Sequence, residues 1–118
     1  IEMGKIDDTH TMAQIYSAAD LFVMPSLYDN LPNMILESLA CGTPVACFNT
    51  GGIPEIVKHG YNGYLARHKD VGDLAVGIME TLHASKEMRS NSVATISKSF
   101  TVDLQVRRHL DLYRQLLD

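Results

Sequence analysis

Helical stretches alternating with short apolar runs predict an α/β domain built on a parallel sheet. Two of those runs, Leu21-Phe22-Val23-Met24 and Val45-Ala46-Cys47-Phe48, show no polar alternation. That is how strands covered on both faces read, the usual situation in a parallel sheet. Between them lies a helical segment bounded by Pro32 and Gly42, and a crossover of this kind is what joins parallel neighbours.

Taken in order, Ile1 to Ile6 reads as a short strand. Asp7-Asp8-Thr9 offers helix caps, and Met12, Ile15, Tyr16 and Ala19 follow at helical spacing before Asp20 closes the element. The Leu21–Met24 strand ends at Pro25. The next helix runs from Pro32 or Asn33 to Ala40, with Pro32 suited to the first turn and Gly42 to the position past the end. After the second strand, Asn49-Thr50-Gly51-Gly52 is a loop, and Pro54 to Val57 reads as one helical turn. His59 to Gly63 is a tight turn leading into a third strand, Tyr64-Leu65-Ala66. Asp70 caps a helix whose stripe of Val71, Leu74, Ala75, Ile78 and Leu82 is expected to face the core. A separate polar helix is expected from Lys86 to Ser99, carrying Met88, Val93 and Ile96. A last helix from Thr101 is expected to bury Val102, Val106, Leu110, Tyr113 and Leu117.

The 118 residues suffice for one domain with one hydrophobic core. A hydrophobic share of 46% and a charged share of 20% belong to a globular chain. The net charge of −4 argues against a broad nucleic-acid surface, so no nucleic-acid partner is expected. No apolar run reaches the roughly 18 residues of a membrane span, and the first residues lack the pattern of a secretory signal. Cys41 and Cys47 have no cysteine or histidine partner at metal spacing, which favours buried, reduced thiols and a cytoplasmic setting. The five histidines lie on different elements, none at catalytic or metal spacing, so surface or structural roles are expected.

The chemistry concentrates in the segment Pro25 to Val45. Asp29 and Glu37 stand eight positions apart across a helix N-terminus. The first amides of a helix lack intrahelical partners and its dipole favours an anion there. Ionised carboxylates on either side accept strong hydrogen bonds from hydroxyl groups. A ligand with phosphate in the middle and hydroxyls at both ends, such as a nucleotide-sugar, matches that pattern.

Pro25-Ser26 through Pro44-Val45, then Gly51-Gly52-Ile53-Pro54-Glu55-Ile56-Val57, then Gly60, Gly63 and Leu65, resemble the donor-binding domain of the retaining GT-B glycosyltransferases of family four, or group one. Gly4 with Met12 to Asp20 resembles the element before that motif, and Phe100 to Leu117 is similar to the family's closing helix. The resemblance implies a Rossmann-like, three-layer parallel sheet with flanking helices, with residues 1–118 forming the carboxy-terminal part of an incomplete GT-B donor domain. It implies that Glu37 accepts hydrogen bonds from the nucleotide's ribose and that Asp29 lies at the donor sugar. Backbone amides of Asn30, Leu31, Pro32, Asn33 and Met34 would surround the sugar and diphosphate, counting Pro32 for its backbone position alone. Ile6 would lie near the base, and Gly51 and Gly52 would line the donor cleft. Asp29 stands where the family has glutamate, which shortens the side chain's reach by about 1.3 Å.

The implied reaction transfers a sugar with retention from a nucleotide-diphosphate donor to a glycan or lipid-linked acceptor, with no cofactor and no metal. The family's basic glycine-arginine loop and following lysine, which hold the diphosphate, do not occur in these residues. The chain is therefore expected to supply the ribose and sugar side of the site and to be inactive alone. As a whole enzyme it would be cytoplasmic, at the inner membrane face where the acceptor is lipid-linked. The strand at Leu21–Met24 would present an open edge for self-association. A truncated, non-catalytic binding or assembly module, and a relative of the UDP-sugar epimerases, remain as alternatives.

Overall fold

A computed structural model describes residues 1–28 and 32–117. Asp29, Asn30, Leu31 and Asp118 lie outside the described residues. Three parallel strands, β1 (Phe22–Met24), β2 (Val45–Phe48) and β3 (Gly63–Ala66), form one sheet in the order β1-β2-β3. Phe22 pairs with Val45 and Met24 with Cys47; Val45 pairs in turn with Gly63 and Phe48 with Ala66. The helices are α1 (Thr9–Ala18), α2 (Asn33–Ala40), α3 (Val71–Ser99) and α4 (Val102–Leu117), with a 3-10 turn at Ile53–Glu55.

The central strand organises the core. All four residues of β2 are buried, and they alternate between two apolar clusters. Val45 and Cys47 face Ile35 and Leu39 of α2 together with Ile53, Ile56 and Val57. Ala46 and Phe48 face Leu74 of α3, with Ile78 and Tyr64 at the margin. Helices therefore cover both faces, and the predicted three-layer α/β architecture is present. Each fully buried Ile or Leu in these clusters contributes about 1.5–3 kcal/mol.

Several sequence expectations are corrected. Ile1 to Ile6 forms no strand. The segment is coil with Gly4 at φ +66°, and it has no sheet neighbour among the described residues. β1 is half-buried rather than covered on both faces, because it is an edge strand. Pro32 occupies the N-cap of α2 in an extended conformation, one position before the helical turn. Gly42 stands past the helix end as expected, at φ +81°, where any side chain would be strained.

The two helices expected between Val71 and Ser99 are one helix of 29 residues. His83, Ala84 and Ser85 include no Gly or Pro to stop it. Its buried line is Leu74, Gly77, Thr81, Met88 and Ser92, while Val71 and Leu82 are exposed. Small residues mark the line because α3 crosses β3 closely: a Cβ on Gly77 would lie 2.2 Å from the Tyr64 ring. The polar half is held by side chains. Asn91 donates to the Tyr61 carbonyl at 2.9 Å, and Thr95 accepts from the buried Asn62 at 2.9 Å. Asn62 also donates to the Ile56 carbonyl and accepts from the Lys58 amide, so all its polar atoms are used.

The last helix departs furthest from expectation. Phe100 packs against the core, but α4 buries none of its residues. Val102, Val106, Leu110, Tyr113 and Leu117 share one stripe and are all exposed. Amphipathic spacing specifies that one face is apolar, and by itself does not specify what covers it.

Gly63 marks the tightest backbone approach in the sheet. A Cβ there would stand 2.1 Å from the Val45 carbonyl oxygen and 3.0 Å from Val57. Backbone cannot yield as a side chain does, so Gly63→Ala is expected to cost at least about 2 kcal/mol. Thermal unfolding should show a midpoint roughly 10 °C or more below that of the unsubstituted chain. A midpoint within two or so degrees would contradict this packing.

Candidate functional site

The site begins with two helix faces set against each other. On α1, Thr9, Met12, Ala13 and Tyr16 fall at i, i+3, i+4 and i+7, which places them on one side of the helix. On α2 and just past its end, Met34, Glu37, Ala40 and Cys41 fall at i, i+3, i+6 and i+7, also within one side of the helix. The two faces, closed at one end by Ile6 and Asp7, line an open cavity of about 480 Å³. Its walls are mainly apolar, with the Glu37 carboxylate as the exposed polar group on α2.

Local bonds fix each wall. Asp8 caps α1: its carboxylate accepts from the Thr11 hydroxyl at 2.6 Å and the Thr11 amide at 2.9 Å. Those bonds hold the Asp8 carboxyl below the ordinary carboxylate range. The end of α2 is fastened by the Ser38 hydroxyl, which donates to the Thr43 carbonyl at 2.9 Å. The Thr43 hydroxyl in turn donates to the Tyr16 carbonyl on α1. Arg89 of α3 spans both: its guanidinium donates to the Ala19 carbonyl at 2.6 Å and the Gly42 carbonyl at 3.5 Å. It also lies 3.7 Å from the Asp20 carboxylate. The gap between α1 and α2 is thus set by hydrogen bonds at their carboxyl ends.

The structure brings together three of the residues singled out from sequence. Ile6, Met34 and Glu37 line the same cavity. Pro32 is buried at the N-cap of α2, and Asn33 is exposed as the first helical residue. Among the described residues no side chain caps this helix, and the Ile35 amide donates to the Pro32 carbonyl at 3.1 Å. Gly51 and Gly52 lie elsewhere, in the loop at the carboxyl end of β2. Gly51 has φ +54° and Gly52 a right-handed φ of −86° that does not require glycine. Asp29, Asn30 and Leu31 are outside the described residues.

Sequence reasoning passed over Thr9, Met12, Ala13, Tyr16 and Cys41. The signal was present as the i, i+3, i+4, i+7 face of α1, but the same spacing also describes a core face. Tyr16 serves both uses. It is only 4% exposed and packs edge-on against Phe22, with ring centroids 5.5 Å apart. Its hydroxyl finds no hydrogen-bond partner among the described residues. Burial raises its pKa, and the charges of Glu37 and Cys41 raise it further.

Among the described residues, no group of three or more His, Cys, Asp or Glu is placed to hold a metal ion. No helix among them is long and apolar enough to cross a membrane.

With this geometry described, similarity to known proteins supplies the context. The family model for glycosyl transferases group 1 matches residues 2–84. The chain belongs to that family. It is 36% identical over 96 residues to a D-inositol 3-phosphate glycosyltransferase of Mycolicibacterium vanbaalenii, covering 78% of this chain and 21% of that protein. Its fold superposes on sucrose-phosphate synthase from Thermosynechococcus elongatus with a TM-score of 0.86 at 30% identity. That match covers 98% of this chain and 29% of the synthase. Anabaena Alr3699/HepE, whose structure is a complex with UDP, superposes over 83% of the chain and 29% of its own, with a TM-score of 0.73 and 30% identity. The chain therefore spans between a fifth and a third of the length of these relatives. Within the group 1 glycosyltransferases it corresponds to the carboxy-terminal, GT-B-like portion.

The two cysteines of this group 1 glycosyltransferase chain differ in kind. Cys41 is half-buried at the cavity, which corrects the expectation that both thiols are buried. Cys47 is fully buried in β2, and burial pushes its pKa up to about 12. The thiolate is the reactive form, so iodoacetamide at neutral pH should alkylate Cys41 and leave Cys47 untouched until the chain unfolds. Peptide mass mapping that found both labelled at equal rates in the folded chain would contradict the assignment.

Proposed function

We propose that this chain forms the nucleoside and sugar wall of the donor site in a retaining glycosyltransferase, which moves a sugar from a nucleotide-diphosphate donor to a glycan or lipid-linked acceptor. One observation carries the reading. Glu37, on a helix with no side-chain cap among the described residues, shares a cavity with Ile6 and Met34 in a group 1 glycosyltransferase chain. The UDP held by a structural relative with the same fold supports a nucleoside diphosphate as the ligand class. Glu37 accepts from the ribose hydroxyls, the apolar wall with Ile6 covers the base, and the helix start with Asn33 and Met34 faces the diphosphate. Asp29 meets the donor sugar, with Asn30 and Leu31 beside it and Gly51 and Gly52 at the margin. The chemistry needs no metal in this reading: charge accumulating on the departing diphosphate is met by backbone amides and the helix end. The setting is cytoplasmic, at the membrane face where the acceptor is a lipid.

The 118 residues alone hold too few contacts for tight binding. A helix end is worth about 0.3–1 kcal/mol and a charged hydrogen bond about 1.5–3 kcal/mol. Association costs about 4–15 kcal/mol, which leaves a dissociation constant no tighter than about 1 mM. Titration with UDP, followed by amide shifts in two-dimensional NMR, should show saturable changes at Met34, Glu37 and Ile6. Glu37→Ala should weaken binding at least tenfold, about 1.4 kcal/mol. UDP binding unchanged by Glu37→Ala would remove the ribose role, and a dissociation constant below about 10 μM would overturn the half-site argument.

A second reading concerns self-association. β1 pairs only with β2 among the described residues, so its other edge is open. The Phe22 amide donates inward to Pro44, so by strand alternation the Val23 amide points outward. Light scattering should show mass rising with concentration, and Val23→Pro, which removes only the outward donor, should restore the monomer. A monomer at high concentration would eliminate this edge as an interface.

A further inference from the structure

The cavity between α1 and α2 contains a hydroxyl with nothing to bond. Tyr16 lines it from α1, is only 4% exposed, and its hydroxyl has no hydrogen-bond partner among the described residues. A buried hydroxyl without a partner is destabilising, and folded chains contain few of them. The group is also fixed in place. Phe22 holds the ring edge-on, and the Thr43 hydroxyl ties the Tyr16 backbone to the end of α2. A partner therefore has to come to it.

Four other polar side chains line the cavity: Asp7, Thr9, Glu37 and Cys41. Asp7 is paired with Lys5 at 3.4 Å. Thr9 starts α1, about 10 Å along the helix from Tyr16. A cysteine sulfur is a weak acceptor. Glu37 remains, with a strong acceptor at the end of a flexible, exposed side chain. Burial raises the Tyr16 pKa, and the Glu37 charge raises it further, so the tyrosine keeps its proton and can only donate to a carboxylate.

We propose that Tyr16 is a positioning residue for Glu37: when a nucleoside diphosphate fills the cavity, the carboxylate turns inward and accepts from the Tyr16 hydroxyl. One carboxylate oxygen takes that bond and the other stays available to the ribose. In the free chain water solvates Glu37. A ligand displaces that water, and a desolvated carboxylate needs replacement donors. The inference rests on the ribose role given to Glu37 above and gives Tyr16, otherwise a core residue, a part in it.

The test separates this role from core packing. The chain and its Tyr16→Phe, Glu37→Ala and doubly substituted variants are titrated with UDP by NMR, and their unfolding midpoints are measured without ligand. Tyr16→Phe removes one oxygen. It should weaken UDP binding about fivefold, yet leave the midpoint level or raised, because the lost hydroxyl had no partner. In the Glu37→Ala background it should weaken binding no further, since the group it positions is gone. Dideoxyuridine diphosphate, which lacks both ribose hydroxyls, should bind the wild-type chain and Tyr16→Phe alike.

UDP affinity unchanged by Tyr16→Phe would overturn the proposal. So would an equal loss in the Glu37→Ala background or with the dideoxy ligand, either of which would mean that Tyr16 acts without Glu37. A midpoint lowered by more than about three degrees would overturn it too, by showing that the hydroxyl is already paired in the free chain. Failure of the donor-site reading looks different: UDP does not bind, or Glu37→Ala leaves its affinity unchanged. That result would take this inference with it.

Discussion

The candidate site depends on how Arg89 holds the ends of two helices. Its guanidinium reaches the Ala19 carbonyl after α1 and the Gly42 carbonyl after α2, and its charge lies near Asp20. Helix carboxyl ends carry unpaired carbonyls and a partial negative charge, so a cation placed between two of them satisfies both. The Thr43 hydroxyl adds a direct link from the end of α2 to the Tyr16 carbonyl. With those ends pinned, the gap between Met12 and Ala13 on one side and Met34 and Glu37 on the other has a defined width. Arg89 is not part of the cavity. It acts from α3, 70 residues beyond its partner after α1 and 47 beyond its partner after α2.

That reach is possible because α3 is continuous. Its first turns pack on one face of the sheet through Leu74, and its last turns reach the other cluster through Ile96. A break at His83 to Ser85 would have uncoupled Arg89 from the half of the helix seated over Tyr64. Gly77 permits that seat, and Tyr64 and Arg67 secure the helix start through Asp73. The Tyr64 hydroxyl donates to the Asp73 carboxylate at 2.7 Å, and the Arg67 amide donates to it also at 2.7 Å. The backbone bond from Arg67, then the Tyr64 bond, hold the Asp73 carboxyl below its ordinary range. The polar residues of α3 thus fix the orientation of the helix, while its few apolar contacts supply the burial.

This division explains what could be read in the sequence. β2 was legible because four apolar residues without alternation admit few other readings, and α2 because Gly42 closes it at the expected place. The caps Asp8 and Asp70 are local signals and were recovered, each accepting a backbone amide three residues on. The continuity of α3 was not legible, because polar composition resembles a break when the partners are as distant as Asn62 and Tyr61. The exposure of α4 was not legible either, since a hydrophobic stripe gives no information about its cover. At the site, Glu37 and Ile6 were placed through resemblance to a family, while the α1 residues were read for their helical spacing alone. His68 was read as a surface histidine, which it is by exposure. Its bond to Leu27 joins positions 41 apart, and no local pattern announces such a contact.

The two ends of the segment that joins β1 to α2 are consequently held by different means. Glu37 belongs to a helix with buried Ile35, Ser38 and Leu39 on its other side, so its position is inherited from the core. Leu27 and Tyr28, at the other end of the segment, are exposed, and core packing offers that loop little. Hydrogen bonds from the neighbouring strand loops supply what burial does not: the Leu27 carbonyl accepts from the Thr50 hydroxyl and from the His68 ring. Rigidity at Glu37 therefore comes from apolar packing, and rigidity at Leu27 from directional polar bonds. The second kind is the more easily altered by one substitution, because a single lost donor frees the loop, whereas the packing under α2 is shared among several side chains.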